Sequence, residues 1–334
     1  MRIIFMGSSE ASATALRAIL KNPVLKIVGV VTQPDRPSGR SRKLKPCPCK
    51  QYALQRKLTP IISPEKVNAP EIVETLRALK PEVIVVVAFG QLLKRELLEM
   101  APHGCINGHF SLLPKFRGAA PVQAAILSGE KETGVTIMQM DKGMDTGDIL
   151  LQAKEPICSD DDASYLMERL AILGGVTLSK ALMLMLGGML KRIPQSESGI
   201  EPSYASKMHK SDGLIDWAKS ADYLDRMIRA FDPWPGAYTY KPANRCRPGT
   251  TGRFKVLVAN RVPVIDEAHQ KAEPGTICMI SPVGPIVKTG THMLCLTSVQ
   301  PEGSRPMDGK AFLNGHQLKI GDRLLSTPPE CINA

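Results

Sequence analysis

The sequence predicts an α/β chain, a doubly wound and mostly parallel sheet followed by a small β-barrel domain, and three observations carry this. Short apolar runs alternate with helix-like stretches through the first half, starting with a run at 2–6, a turn at Gly7 and a helical pattern at 11–20. A βα unit begins in this way. Residues 82–88 are dominated by β-branched side chains, as in a central strand covered on both faces. From residue 254 the pattern changes to short apolar runs split by turn residues, the spacing of a small barrel. With 334 residues the chain exceeds one ordinary core and fits two domains.

The first βα turn has one glycine, so the G-x-G-x-x-G dinucleotide fingerprint is missing and no nicotinamide cofactor is expected. A second buried strand is expected at 25–31. It leads into 33–46, rich in proline, glycine and cations and without periodicity, which predicts an irregular exposed loop. Helices are expected at 49–57 and 69–79, with a short strand at 61–62. The central strand then ends at Phe89-Gly90-Gln91, and ligands of such sheets sit beyond the carboxyl ends of strands. A short helix at 91–100 precedes a strand starting at Cys105. A helix at 118–127, with Pro121 in its first turn, comes before strands at 135–140 and 149–153. Asp160, Asp161 and Asp162 suit the start of a helix running to about residue 186. Its methionines Met183 and Met185, with Met189 after them, read as core. Polar residues 194–203 mark the expected boundary between a domain at 1–193 and one at 204–334. The second domain should hold a helix at 221–230 and strands at 254–258, 275–280, 285–288 and 292–299.

A formal net charge of +11 favours a polyanionic partner. Only 4% of residues are aromatic, which argues against a broad base-stacking surface. A nucleic acid would be gripped through phosphates, with steep salt dependence. The apolar run at 83–88 is too short to span a bilayer, no other span is expected, and the N-terminus enters a strand directly rather than a signal peptide. A cytoplasmic protein without a membrane partner is expected. Among eight cysteines, Cys47 and Cys49 form a Cys-x-Cys pair with no second pair at zinc spacing, so reduced thiols and no metal are expected.

Residues that carry chemistry concentrate between 105 and 148. Asn107 and His109, two apart in an extended segment, share a face. Ser111-Leu112-Leu113-Pro114 then ends the strand, because proline cannot donate to a ladder. Further on, Gly143-Met144-Asp145-Thr146-Gly147-Asp148 predicts a tight loop presenting Asp145. Taken singly, each of these residues has an ordinary structural use as a turn former or a satisfied internal group. Brought together, an amide, an imidazole and a carboxylate can move a proton and stabilise an oxyanion.

The runs N-x-H-x-S-L-L-P at 107–114, R-G-A-A-P at 117–121 and G-V-T-I-M-Q-M-D-x-G-x-D-T-G-D at 134–148 resemble the formyltransferases that use 10-formyltetrahydrofolate. The likeness is greatest to the branch acting on initiator tRNA, and S-Y-A-S-K-M, I-D-W and D-P-W-P-G-A-Y extend it past residue 203. It implies a formyltransferase-type sheet and an OB-like C-terminal domain that binds tRNA. It also implies 10-formyltetrahydrofolate as formyl donor, initiator methionyl-tRNA as acceptor, and a monomer.

Carried over residue by residue, the resemblance implies that Asn107 donates to the formyl oxygen. His109 would stabilise the oxyanion or pass a proton to the departing folate nitrogen, and Asp145 would orient His109 and help deprotonate the amine. Ser111, Leu112, Leu113 and Pro114 would line the folate site, with Phe89 and Gly90 beside the pterin. Arg36, Arg40, Arg42, Lys43 and Lys45 would enter the acceptor-stem region of the tRNA. Ser8, Ser9 and Ala11 depart from the family's M-G-T-P-E-F, and Gly108 and Phe110 replace smaller or branched residues around His109. Two other reactions share this chemistry, formylation of an amino sugar nucleotide and hydrolysis of formyl-folate. The cationic 36–45 segment and the C-terminal domain favour tRNA over both. A catalytically silent RNA-binding protein is the alternative from another class, and the complete Asn107, His109 and Asp145 set argues against it.

Overall fold

The computed structural model describes residues 1–38, 43–246, 251–264 and 266–329. Two compact units emerge, one holding 1–122, 131–157 and 165–206, the other 123–130, 158–164 and the chain from 207.

The first unit is built on strands β1 (Arg2–Gly7), β2 (Lys26–Val31), β3 (Arg36–Ser38), β4 (Lys43–Lys45), β5 (Ile61–Ile62), β6 (Val83–Val87), β7 (Cys105–His109), β8 (Arg117–Gly118), β9 (Glu132–Gln139) and β10 (Ile149–Pro156). Helices α1 (Glu10–Leu20), α2 (Pro48–Gln55), α3 (Pro70–Ala78), α4 (Arg95–Leu98) and α6 (Ala163–Leu186) connect or follow them, while α5 (Pro121–Ser128), between β8 and β9 in sequence, belongs mostly to the other unit. The main sheet runs β10-β9-β7-β6-β1-β2-β5. Its five strands from β7 to β5 are parallel, and β9 and β10 are antiparallel at one edge. This is the mostly parallel, doubly wound sheet that the sequence predicts. The chain leaves β1 toward β2 and β5, then returns to β6 on the other side of β1. Strand order therefore reverses between β1 and β6, where such sheets open a crevice.

Alternation along the strands separates two packed faces. Ile4, Met6, Ile84, Val86 and Cys105 form one core with Val73 and Leu76 of α3 and Leu97 and Leu98 of α4. On the other side, Val87, Gly108, Phe110 and Val135 surround a narrow gap with Ala15 of α1 and Ala171, Gly174, Gly175 and Leu178 of α6. The first turn is tightly held. A Cβ on Gly7 would lie 2.6 Å from Cβ of Ser12 and 2.8 Å from the carbonyl oxygen of Val87, so only glycine fits. Ser9 caps α1 by accepting from the Ser12 amide, and the Ser12 hydroxyl accepts from the Ser9 and Ser8 amides. Ser9, one of the departing family positions, thus builds a capping box with Ser12.

Four local expectations need correction. The segment 33–46 is not wholly irregular: β3 and β4 pair antiparallel, Arg36 opposite Lys45 and Pro37 opposite Leu44. The helix expected at 91–100 shrinks to α4, because side chains hold its first residues. Gln91 accepts from the Val67 amide and donates to the Pro64 carbonyl, and Asn68 accepts from the Lys94 amide. Gly118 lies in β8 rather than a helix. Met183 and Met189 are exposed rather than core. The last point follows from α6 itself, which is long and apolar enough to cross a membrane by length and composition. It buries Leu166, Leu170, Leu178 and Leu182 while leaving Ile172 and Val176 exposed.

After β11 (Tyr204–Ala205), the second unit holds α7 (Ala221–Ala230) and strands β12 (Tyr238–Tyr240), β13 (Arg253–Val262), β14 (Ile277–Ile280), β15 (Pro285–Lys288), β16 (Met293–Pro301) and β17 (Met307–Asp308). The order is β12-β13-β16-β15-β14, all antiparallel, with β17 on β16. Leu325 bridges to Tyr240 and Arg323 to Thr276. The chain at 323–325 therefore touches both edges, next to β12 and β14, through single bridges. Trp217, Phe254 and Phe312 fill the interior, and the Trp217 indole donates to the Thr239 hydroxyl at 3.0 Å.

Candidate active site

One face of β7 passes from core to site within five residues. Cys105 packs under α4, its thiol donating to the Leu97 carbonyl. Burial pushes that thiol up to about 12, so it stays protonated and is no nucleophile at neutral pH. Two residues on, the Asn107 amide is half-buried and makes no hydrogen bond to another described residue. His109 follows on the same face, 6% exposed. Its Nε2 lies 2.9 Å from the Phe116 carbonyl oxygen. A carbonyl only accepts, so Nε2 carries a hydrogen and Nδ1 is left for other work.

Nδ1 faces Asp145, with Oδ2 3.7 Å away. That is charge contact rather than a hydrogen bond. The Asp145 backbone is left-handed, φ 55°, a strained choice for a residue with a Cβ. Its Oδ2 also accepts from the Gly118 amide at 2.8 Å. The loop is braced internally, since Asp141 accepts from the Thr146 hydroxyl at 2.8 Å and the Gly143 amide at 3.0 Å. The structure thus brings His109 and Asp145 together and sets Asn107 beside them on β7.

The remaining expected residues have varied surroundings. Ser111 is fully buried, its hydroxyl donating to the Lys115 carbonyl at 2.6 Å. Leu113 is also buried, its amide donating to the Thr136 hydroxyl and its carbonyl accepting from Gln152. Pro114 is buried, and Leu112 is the half-buried member of the four. The Phe89 ring belongs to the α3–α4 core, and its carbonyl accepts from the Ser8 hydroxyl and the Gln33 amide. Its neighbours Ala88 and Gly90 are exposed, so backbone rather than the Phe89 ring borders the crevice. Arg36, Lys43 and Lys45 are exposed on the β3–β4 hairpin, with Arg36 2.9 Å from Glu65. Arg40 and Arg42 lie outside the described residues.

Several site residues escaped sequence reasoning. Gln33 holds the Phe89 carbonyl beside Ser8, a position the sequence already marks, and Thr136 holds the Ser111–Leu113 turn by donating to the Ser111 carbonyl at 2.7 Å. Most surprising is Gln195, in the segment expected as a boundary. It is 5% exposed and donates to the carbonyls of Asp145 and Gly147, both at 2.8 Å. Its one advance signal was a glutamine directly after Pro194 in a polar run, too little to separate from any turn.

Residues 1–182 match the model of a family described as formyl transferase, and 207–317 match the formyl transferase C-terminal domain. The chain is 44% identical over 331 residues to a methionyl-tRNA formyltransferase of Symbiobacterium thermophilum, covering 99% of this chain and 96% of that protein. Identity to the methionyl-tRNA formyltransferase of Geobacter sulfurreducens is 42% over 324 residues, covering 97% and 96%. Among solved structures, the fold is similar to an N-formyltransferase from Helicobacter canadensis in complex with folinic acid and dTDP-3-aminofucose. There the TM-score is 0.59 at 18% identity, over 91% of this chain and 99% of that one. It is also similar to HypX from Aquifex aeolicus in complex with tetrahydrofolic acid, with TM-score 0.61 and 17% identity, over 96% of this chain and 48% of that one.

Proposed function

The chain belongs to the formyl transferase family, among the methionyl-tRNA formyltransferases, and from that premise we propose how this protein works. It is an enzyme that transfers a formyl group to the α-amino group of methionine on initiator tRNA, for translation initiation. The formyl donor is a folate, in our reading 10-formyltetrahydrofolate, which supplies the activated formyl carbon when bound. The enzyme works as a monomer in the cytoplasm, with no membrane partner and no metal.

The observation that carries the catalytic reading is the His109–Asp145 contact at 3.7 Å, with the Asn107 amide, unpaired among the described residues, beside it. Asn107 donates to the oxygen that gains charge as the amine attacks. His109 stands next to that oxygen with a proton on Nδ1 held by Asp145, and it passes that proton to the folate nitrogen as the C–N bond breaks and tetrahydrofolate leaves. Asp145 also takes up, directly or through water, the proton that the amine must lose. A free α-amino group titrates near ~8, so much of it starts protonated at neutral pH.

The folate fits the crevice at the carboxyl ends of β1, β6 and β7. Exposed backbone at Ala88 and Gly90 offers N–H and C=O groups to an amide-like pterin edge, and Leu112 offers apolar surface. Ser111, Leu113, Pro114 and Phe89 support that lining from within. Residues 1–193 form the catalytic domain and 204–334 a tRNA-gripping domain, with 194–203 between them. Lys207, Lys210 and Arg253 supply cations to the second, and Arg36, Arg40, Arg42, Lys43 and Lys45 bind the acceptor end. A formyl-transfer assay tests the whole reading. Charged initiator tRNA should be formylated far faster than charged elongator methionine tRNA, and equal rates or no transfer would reject it.

A further inference from the structure

All four hydrogen-bonding capacities of the Gln195 amide are in use. Its nitrogen donates to the carbonyls of Asp145 and Gly147, while its oxygen accepts from Arg117 Nη2 at 2.7 Å and Nε at 3.1 Å. Arg117 is itself only 9% exposed, and no carboxylate among the described residues pairs with it. The same stretch of chain holds both proposed catalytic side chains. Ser203 accepts from the Phe116 amide through its hydroxyl and from the Arg117 amide through its carbonyl. β11 pairs with β8, where Gly118 has φ 114° and a Cβ would lie 2.6 Å from the Ala205 carbonyl oxygen. Phe116 in turn accepts from His109, and Gly118 donates to Asp145.

We infer that Gln195 is a positioning residue for formyl transfer, fixing the left-handed backbone of Asp145 so that its carboxylate meets His109; this rests on the catalytic role proposed above for Asp145. A strained backbone persists only where its surroundings over-determine it, and the two Gln195 donors restrain the 145–146 and 147–148 peptides, on either side of the Thr146–Gly147 pair. Gln195 is 5% exposed and its amide is fully used by protein groups, so its effect is felt through kcat rather than through binding.

The discriminating variant is Gln195→Glu. It keeps the shape and the acceptor for Arg117, now as an ion pair, but loses both donors to the loop. Thermal stability should hold, while kcat for formylating charged initiator tRNA falls between about tenfold and a hundredfold, the scale of a misplaced catalytic group. KM for folate and for tRNA should barely move. Combined with Asp145→Ala, Gln195→Glu should add no further loss. Should Gln195→Glu fail to fold, the Arg117→Met/Gln195→Met pair leaves no buried charge unmatched and should show the same fall in kcat. A folded Gln195→Glu enzyme with wild-type kcat overturns the inference while leaving the enzyme's function intact, and so does a loss that multiplies with that of Asp145→Ala. A wild-type protein that transfers no formyl group overturns the function and the inference together.

Discussion

A side chain added at Gly174 of α6 would begin 3.3 Å from Cε1 of Phe110. The ring at 110, bulkier than its family setting suggests, occupies the space that the helix glycine leaves. Phe110 and Gly108 point away from the catalytic face of β7, toward α1 and α6, so neither meets His109 in its site. Gly108 is not sterically required, since a Cβ there would make only ordinary contacts at 3.5 and 3.8 Å.

The pair should behave as coupled. Glycine inside a helix costs ~0.5–1 kcal/mol relative to alanine, and crowding against Phe110 opposes that gain. Gly174→Ala should therefore stabilise the Phe110→Ala protein by about the full propensity term and the native protein by clearly less. Denaturant unfolding of the four proteins measures the difference. Equal increments in both backgrounds would show that the ring does not fill the glycine's space.

Removing the His109 imidazole or the Asp145 carboxylate should each slow turnover by ~10²-fold or more. Asp145→Asn is the sharper variant, because its amide oxygen still accepts from the Gly118 amide while the charge facing Nδ1 is gone. Single-turnover formylation with the variants should give a double-variant loss well below the product of the single losses. A folded His109→Ala protein with near-normal turnover would end the assignment.

The parallel sheet was legible because β-branched runs such as 82–88 and the turn at Gly7 are local signals. Asn107 and His109 were legible for the same reason, as neighbours on one strand. Asp145 could be named through the glycines around it, but not its strained backbone or its tie to Gly118, which depend on chain distant in sequence. Gln195 was invisible because its partners, Arg117, Asp145 and Gly147, converge only through tertiary packing. The β3–β4 hairpin was missed since strands of three residues, one containing Pro37, carry too little alternation to read. The exposure of Met183 and Met189 went unread because composition alone does not say which side of an apolar helix is covered.

In the second unit, burial first and the charge of Asp162 second raise the Asp232 carboxyl above its usual range, with Lys255 opposing. A carboxyl raised on folding stabilises the folded state below its unfolded value, near ~3.9, and that contribution is lost as pH rises through the folded value. Asp232→Asn cannot ionise, so its advantage over wild type should appear toward neutral pH and vanish in acid. The Tm difference between the two proteins, followed from acid to pH 7.5, should grow with pH. A difference independent of pH would exclude the ionisation as its source.

The cations of the 36–45 segment should not be equivalent. Arg36 shares an exposed ion pair with Glu65 at 2.9 Å, worth little to stability but enough to occupy the guanidinium. Lys43 and Lys45 are exposed on β4 without an ion-pair partner among the described residues. Arg40 directly follows Gly39 in the sequence between β3 and β4 and lies outside the described residues. If this hairpin grips the acceptor end, Arg40→Ala removes a charge-assisted hydrogen bond worth ~1.5–3 kcal/mol, or roughly tenfold to a hundredfold in binding. kcat/KM for charged initiator tRNA should fall by that factor at limiting tRNA, while folate binding stays unchanged. Arg36→Ala should cost less, and Lys43→Ala with Lys45→Ala should flatten the salt dependence of tRNA binding by about one unit of slope for each phosphate no longer neutralised. Neutralising Arg40, Arg42, Lys43 and Lys45 together with no fall in formylation and no change in salt slope would assign the hairpin to solvent and leave tRNA recognition to other surfaces.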